Sequence, residues 1–170
     1  MNNFRKVADF DYQPLLTEIA ATPLWNWLSL RQHAGHGDDI VLRYQSVQAP
    51  HVAQDFFTDI TCVDYFVQEY FPFTMALVQA VFNRPLGRIV IAKLKPSESI
   101  QPHVDEGYYS NNTDRYHLVV ATNPEVQMTS GDETLHMKRG EIWWFNNHIT
   151  HSVTNAGTTN RLHIIVDTLK

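Results

Sequence analysis

From residue 88 to the end, the chain falls into short apolar runs: 88–94, 100–105, 116–122, 126–129, 134–138, 141–145, 151–155 and 162–168. Each is bounded by Pro, Gly, Asn, Asp or Ser, and most are rich in β-branched or aromatic residues. That is how strands joined by tight turns are written. Many short strands at near-regular spacing fold into a sandwich or a barrel. Ser130-Gly131-Asp132 and Lys138-Arg139-Gly140 supply two of the turns.

The first half of the chain has a different rhythm. Leu15, Leu16, Ile19 and Ala20 predict a helix over 14–21. Thr22-Pro23 ends it, because the residue before a proline avoids helical backbone. A polar, glycine-containing loop over 32–39 precedes an alternating run over 40–47, read as a strand. Residues 50–84 predict helices. Phe66, Val67, Tyr70 and Phe71 recur at helical spacing, as do Met75, Val78, Gln79 and Phe82, with Pro72 between the two sets. The NRPLG stretch at 83–87 breaks the pattern. The expected fold is mainly β with N-terminal helices. A helical part over about 1–86 covers a jelly roll over about 87–170 that closes on a central cavity. At 170 residues this is expected to be one domain with one sizeable core.

Charge and composition narrow the function classes. The formal net charge is -5, with no run of lysines or arginines, so nucleic acid is not an expected partner. The lone cysteine, Cys62, excludes an internal disulfide and fits a reducing cytosol. The N-terminal MNNFRKVADFDYQ lacks the apolar core of a signal peptide. No apolar stretch approaches the ~18 residues of a membrane span. A cytoplasmic location is therefore expected.

The chemistry-bearing residues lie in the strand-rich half. On a strand, alternate residues share a face, so His103 and Asp105 can reach one ion together; in isolation the pair reads as a surface turn. His151, opening another strand, offers a third ligand. Two imidazoles and one carboxylate make a facial triad that leaves three positions of an octahedral Fe(II) open to co-substrate and dioxygen. Arg161 begins the apolar strand RLHIIVD and shares a face with His163, Ile165 and Asp167. If that face is interior, the arginine needs an anion, and its guanidinium matches a carboxylate at two points; otherwise the face is solvent-exposed and Arg161 merely pairs with an acid. Arg115 and His117 form a similar pair at the mouth of another strand. They are either a second anion-binding element or an exposed sheet edge, with Asp114 available to neutralise Arg115.

Together the stretches HVDEG (103–107), RYHLVV (115–120), GEIWWFNNHITHSVTN (140–155) and RLHIIVD (161–167) resemble the aspartyl/asparaginyl β-hydroxylase branch of the Fe(II)/2-oxoglutarate-dependent dioxygenases. IVLRY (40–44) and GRIVIAKLKPSESIQPH (87–103) resemble its lead-in strands. The resemblance implies a double-stranded β-helix, a jelly roll of cupin-like type. It implies Fe(II) held by His103, Asp105 and His151, with 2-oxoglutarate and dioxygen as co-substrates. It further implies that Arg161 binds the remote carboxylate of 2-oxoglutarate and that Arg115 and His117 also contact it. In the family pattern the ten-residue spacing to the arginine belongs to the residue matching His151, so the resemblance implies His151 and not His148 as ligand. The animal protein hydroxylase that names the branch lacks the carboxylate ligand. Asp105 therefore aligns this chain with the bacterial-type members and weakens transfer of a protein substrate. The expected reaction is hydroxylation of an aliphatic carbon of an amino acid, an amino-acid-like metabolite or a peptide side chain. The rivals are a cupin-type metalloprotein that does not use 2-oxoglutarate and a catalytically silent binding module.

The remaining polar and aromatic residues take ordinary roles. His33 and His36 lie in a polar loop, His51 follows a proline, and His136 sits in a short strand near a turn. His163 reads equally as pocket lining or as a core residue. Trp143 and Trp144 alternate, so at most one lines the cavity; Trp25 and Trp27 read as core or lid. Tyr108, Tyr109 and residues 111–114 are a candidate lid, and Arg43 a candidate contact for a substrate carboxylate.

Overall fold

A computed structural model describes residues 2–23, 38–45 and 60–170. His33, His36, His51, Trp25 and Trp27 lie outside the described residues. The strand-rich half folds as its punctuation predicts: β4 (Leu86–Leu94), β5 (Ser99–His103), β6 (Thr113–Ala121), β7 (Val126–Ser130), β8 (Glu133–Leu135), β9 (Glu141–Phe145), β10 (His151–Asn155) and β11 (Arg161–Leu169). Gly131 and Gly140 sit in the two expected turns with φ of 60° and 82°, a backbone that glycine adopts without strain.

The N-terminal half departs from a purely helical cover. It holds helices α1 (Gln13–Ala21) and α2 (Pro72–Val81) and the expected strand, β2 (Asp39–Gln45), but also two strands not expected, β1 (Phe4–Asp9) and β3 (Cys62–Asp64). Between β3 and α2, Phe66–Tyr70 forms a 3-10 turn rather than a full helix. Pro72 then opens α2, where its missing N–H costs nothing. β1 carries Arg5 and Lys6 facing solvent and pairs with β9, so charges guard the sheet edge.

The strands form two sheets. The larger runs β1-β9-β6-β11-β4-β2-β3, and the smaller runs β5-β10-β7-β8. Within each sheet every pairing is antiparallel, the arrangement of a jelly roll. Alternation along β11 divides the interior in two. Ile164 and Val166 join Leu15, Ile19, Phe71 and Val78 in a core between the large sheet and the helices. Val119, Phe145, Met128 and Val153 form a second core between the sheets. Residues of β6 and β11 on that inner side are the ones placed to meet a ligand between the sheets.

α1 and α2 are tied by one buried carboxylate. Glu18 accepts from the backbone N–H of Phe73 (2.6 Å) and Thr74 (3.0 Å) and from the Thr74 hydroxyl (2.8 Å). The first turn of α2, which has no side-chain cap of its own, is thereby satisfied from a neighbouring helix.

Candidate metal centre

His103 is the last residue of β5 and His151 the first of β10, and the two are partners across the strand pair. Their ring centroids lie 4.3 Å apart. Each Nδ1–H donates to a carbonyl two residues back in the chain, His103 to Gln101 O (2.8 Å) and His151 to Ile149 O (2.9 Å). A proton fixed on Nδ1 leaves the lone pair on Nε2, the form that binds a metal.

Asp105 completes the group, by a route different from the expected one. β5 stops at His103, so Asp105 is not on a strand face. The turn into α3 (Gly107–Asn111), helped by Gly107 at φ 93°, brings the carboxylate back toward the imidazoles. Oδ1 is 3.6 Å from His103 Nε2, and Oδ2 is 3.9 Å from His151 Nε2. The donor atoms of all three residues lie within 4.8 Å of one another.

Neighbouring groups hold Asp105 in place. Arg115 Nη1 (2.6 Å) and Asn147 Nδ2 (3.0 Å) both donate to Oδ2, the oxygen nearer His151, and fix the carboxylate with Oδ1 beside His103. The Asp105 N–H donates to Asn147 O (3.0 Å), and the Ser110 hydroxyl donates to Asp105 O (2.9 Å). Burial opposes ionisation of Asp105, but Arg115, Asn147 and the two imidazoles outweigh it and hold the pKa below the usual range. Burial also lowers the pKa of His151. Two imidazoles that present their Nε2 atoms and an ionised carboxylate suit a divalent ion of the Fe(II) or Zn(II) class, so the residues present fit the metal.

Arg115 finds its counter-ion across the sheet. β6 and β11 pair Arg115 with Asp167, and the contacts are Nε to Oδ1 (2.8 Å) and Nη2 to Oδ2 (3.0 Å). Burial disfavours the Arg115 charge, but Asp167 and Asp105 raise its pKa. The adjacent Asp114 does not neutralise it. Alternation turns Asp114 to the opposite face, where it pairs with Arg84 at 2.7 Å.

A partly open recess with about 430 Å³ of atom-free space includes His103, His151, Arg115, His117 and Arg161 in its lining. Arg161 is 2% exposed at the start of β11. Its Nη2 lies 2.9 Å from His163 Nδ1 and 3.2 Å from His117 Nδ1. Buried Asn155 braces the loop that leads to Arg161: its Nδ2 donates to Leu94 O (3.1 Å) and Thr159 O (2.9 Å), and its Oδ1 accepts from Asn123 (3.0 Å).

Other candidates land elsewhere. His148 Nε2 is 3.5 Å from Lys170 Nζ and takes no part in the triad. His136 Nδ1 is 2.9 Å from Val126 O. Arg43 pairs with Asp64 (2.6 Å) and donates to Leu86 O (3.2 Å). The residues expected to form a lid are largely fixed. Tyr109 is buried with its hydroxyl accepting from the Arg88 N–H (2.7 Å), and Thr113 and Asp114 belong to β6; Tyr108 is exposed. Trp143 packs against the inner core and Trp144 lies under Arg5. Asn147 and Asp167 escaped the sequence reading as parts of the site. Asp167 was open to discovery, being opposite Arg115 once β6 and β11 are paired; Asn147 depends on a turn that no periodicity describes.

Known proteins resemble this chain in sequence and in fold. Residues 63–170 match the profile of the family described as aspartyl/asparaginyl beta-hydroxylase. The L-proline cis-4-hydroxylase of Rhizobium meliloti (strain 1021) is 32% identical over 97 residues, 56% of this chain and 35% of that protein. L-proline cis-3-hydroxylase 2 of a Streptomyces species is 26% identical over 102 residues, 58% of this chain and 35% of that protein. The match thus spans about a third of the length of these relatives. Among solved structures, a 2OG-Fe(II) oxygenase family oxidoreductase from Burkholderia pseudomallei superposes with a TM-score of 0.71 at 7% identity, covering 98% of this chain and 84% of that one. A Pseudomonas putida prolyl-4-hydroxylase gives 0.60 at 14% identity, covering 100% and 94%. These structures share the jelly-roll fold. The profile match runs from β3 through β11 and takes in His103, Asp105, His151 and Arg161, and the chain belongs to the aspartyl/asparaginyl β-hydroxylase family.

Proposed function

We propose that the protein is an Fe(II)- and 2-oxoglutarate-dependent dioxygenase that hydroxylates an aliphatic carbon of a free amino acid or a close amino-acid-like metabolite. The observation that carries this reading is a spatial one. A buried arginine and a two-histidine, one-carboxylate group line or border a single recess. A structural metal site has no use for the arginine.

In this reading His103, Asp105 and His151 hold the metal. Arg161, at the buried end of the recess, takes the remote carboxylate of 2-oxoglutarate in two-point geometry. His117 lines the same end. Arg115 keeps Asp105 ionised and aimed, and its placement between two carboxylates supports a positioning role beside the expected contact with co-substrate. When bound, Fe(II) with 2-oxoglutarate and dioxygen supplies the oxidising chemistry, releasing succinate and carbon dioxide as a C–H bond becomes C–OH. The inner apolar wall of Ile100, Met128, Phe145 and Val153 keeps bulk water from the recess.

The proline hydroxylases among the relatives favour a small free amino acid over a peptide side chain as the first substrate class to test. The experiment is succinate release in air with Fe(II), 2-oxoglutarate and a panel of free L-amino acids headed by L-proline, with hydroxylated product identified by mass spectrometry. Substrate-stimulated succinate that disappears in Arg161→Ala is the expected result. Metal-dependent turnover that is indifferent to 2-oxoglutarate and to Arg161→Ala overturns it.

A further inference from the structure

His163 sits in the interior of β11 and is 1% exposed, a polar ring on a strand whose alternate residues are apolar. Its Nδ1 is 2.9 Å from Arg161 Nη2. Its Nε2 meets no hydrogen-bond partner among the described residues. An arginine nitrogen is always a donor, so a contact of that length requires His163 Nδ1 to be an acceptor. The imidazole proton then resides on Nε2, buried and unpaired. A core that keeps an unsatisfied donor needs a reason for it, and the acceptor on the opposite side of the ring supplies one.

The partner geometry says what the acceptor does. Arg161 Nη2 also lies 3.2 Å from His117 Nδ1, and the two Nδ1 atoms are 3.2 Å apart, with the rings nearly perpendicular at 89°. The Nη2 corner of the guanidinium is thus held against the two imidazoles. This fixes the plane of the fork and determines which edge it can present to the recess. Burial and the adjacent Arg161 charge keep His163 neutral, its pKa far below the ordinary value, so the acceptor persists through the working pH range.

We infer that His163 is a positioning residue: its Nδ1 orients the Arg161 guanidinium for two-point binding of the co-substrate's remote carboxylate, without itself touching the co-substrate. This rests on the function proposed above. Leucine at 163 removes the acceptor at similar volume. Asparagine restores an acceptor oxygen near the Nδ1 position.

The test combines two readouts. Titration calorimetry of the Mn(II)-loaded protein with 2-oxoglutarate, without turnover, gives the Kd. His163→Leu is expected to weaken binding roughly tenfold, and His163→Asn to recover most of the loss. In steady state KM for 2-oxoglutarate rises while kcat stays within about twofold. Long-range ¹H–¹⁵N spectra of the wild-type imidazoles are expected to show His163 with its proton on Nε2. A proton on Nδ1 overturns the assignment, and so does a Kd unchanged in His163→Leu but raised in Arg161→Ala. Equal weakening in the Leu and Asn variants would assign the histidine to packing and also overturn it. Wild-type protein that binds metal but no 2-oxoglutarate overturns the proposed function itself, and this role with it, whatever the variants do.

Discussion

Arg115 and Asp167 face each other across β6 and β11, joined at 2.8 and 3.0 Å, while the same guanidinium reaches Asp105 at 2.6 Å. One arginine thus links the fully buried carboxylate of Asp167 to the carboxylate of the candidate metal ligand. Removing Asp167 leaves a buried cation with half its counter-charge. Asp167→Ala is expected to destabilise the fold by about 3–5 kcal/mol, read by urea denaturation. A loss below about 1 kcal/mol would mean that Asp105 alone satisfies Arg115.

Of the three candidate ligands, His103 and Asp105 are half-buried, whereas His151 is buried against Phe145. His103→Ala and Asp105→Ala are each expected to abolish iron-dependent succinate formation while leaving the far-ultraviolet spectrum unchanged. Chelation of the wild-type protein should give the same silent, folded state, and added Fe(II) should reverse it. Normal turnover in either variant would remove the triad from the mechanism.

Asn147 touches Asp105 twice, through its amide and through its carbonyl. Groups that orient a metal ligand typically carry about 10–100-fold in metal affinity. Asn147→Ala should weaken Fe(II) or Mn(II) binding within that range, with no comparable change in the affinity of the metal-loaded protein for 2-oxoglutarate. Equilibrium dialysis at fixed pH separates the two.

Glu18 lies on the far side of the large sheet from the recess and serves only the helices. Glu18→Ala should cost about 1–2 kcal/mol, the scale of a lost helix cap, because three donors at the start of α2 lose their acceptor. kcat and KM should match the wild type. Altered KM would show that the helical layer communicates with the site.

The strand-rich half was legible because its side chains alternate. Alternation placed Arg161, His163 and Asp167 together on β11 and Arg115 with His117 on β6, and the structure keeps these groupings. What alternation cannot describe is a backbone that has left the strand. Asp105 reaches the histidines from a turn, and Asn147 sits in the turn that follows β9. The edge strands were missed for a related reason. β1 and β3 are short and expose charged side chains, so their apolar pattern is too brief to stand out before a partner strand is known. Arg115 illustrates the limit of reading neighbours along the chain: its counter-ions are ten residues upstream and fifty-two downstream, not the adjacent Asp114.

The pairing of His103 with His151 has a mechanical side. β5 is an outer strand of the smaller sheet, bonded within it to β10 alone, and its register with β10 is irregular beyond the histidine pair. An ion gripped by both imidazoles would rivet that strand to its neighbour at the end nearest the mouth. Loss of the ion would let the rim peel from the same end, loosening the entrance while the large sheet stays intact. Amide exchange along β5 should therefore act as a gauge of iron occupancy, slow in loaded protein and fast once the metal is stripped.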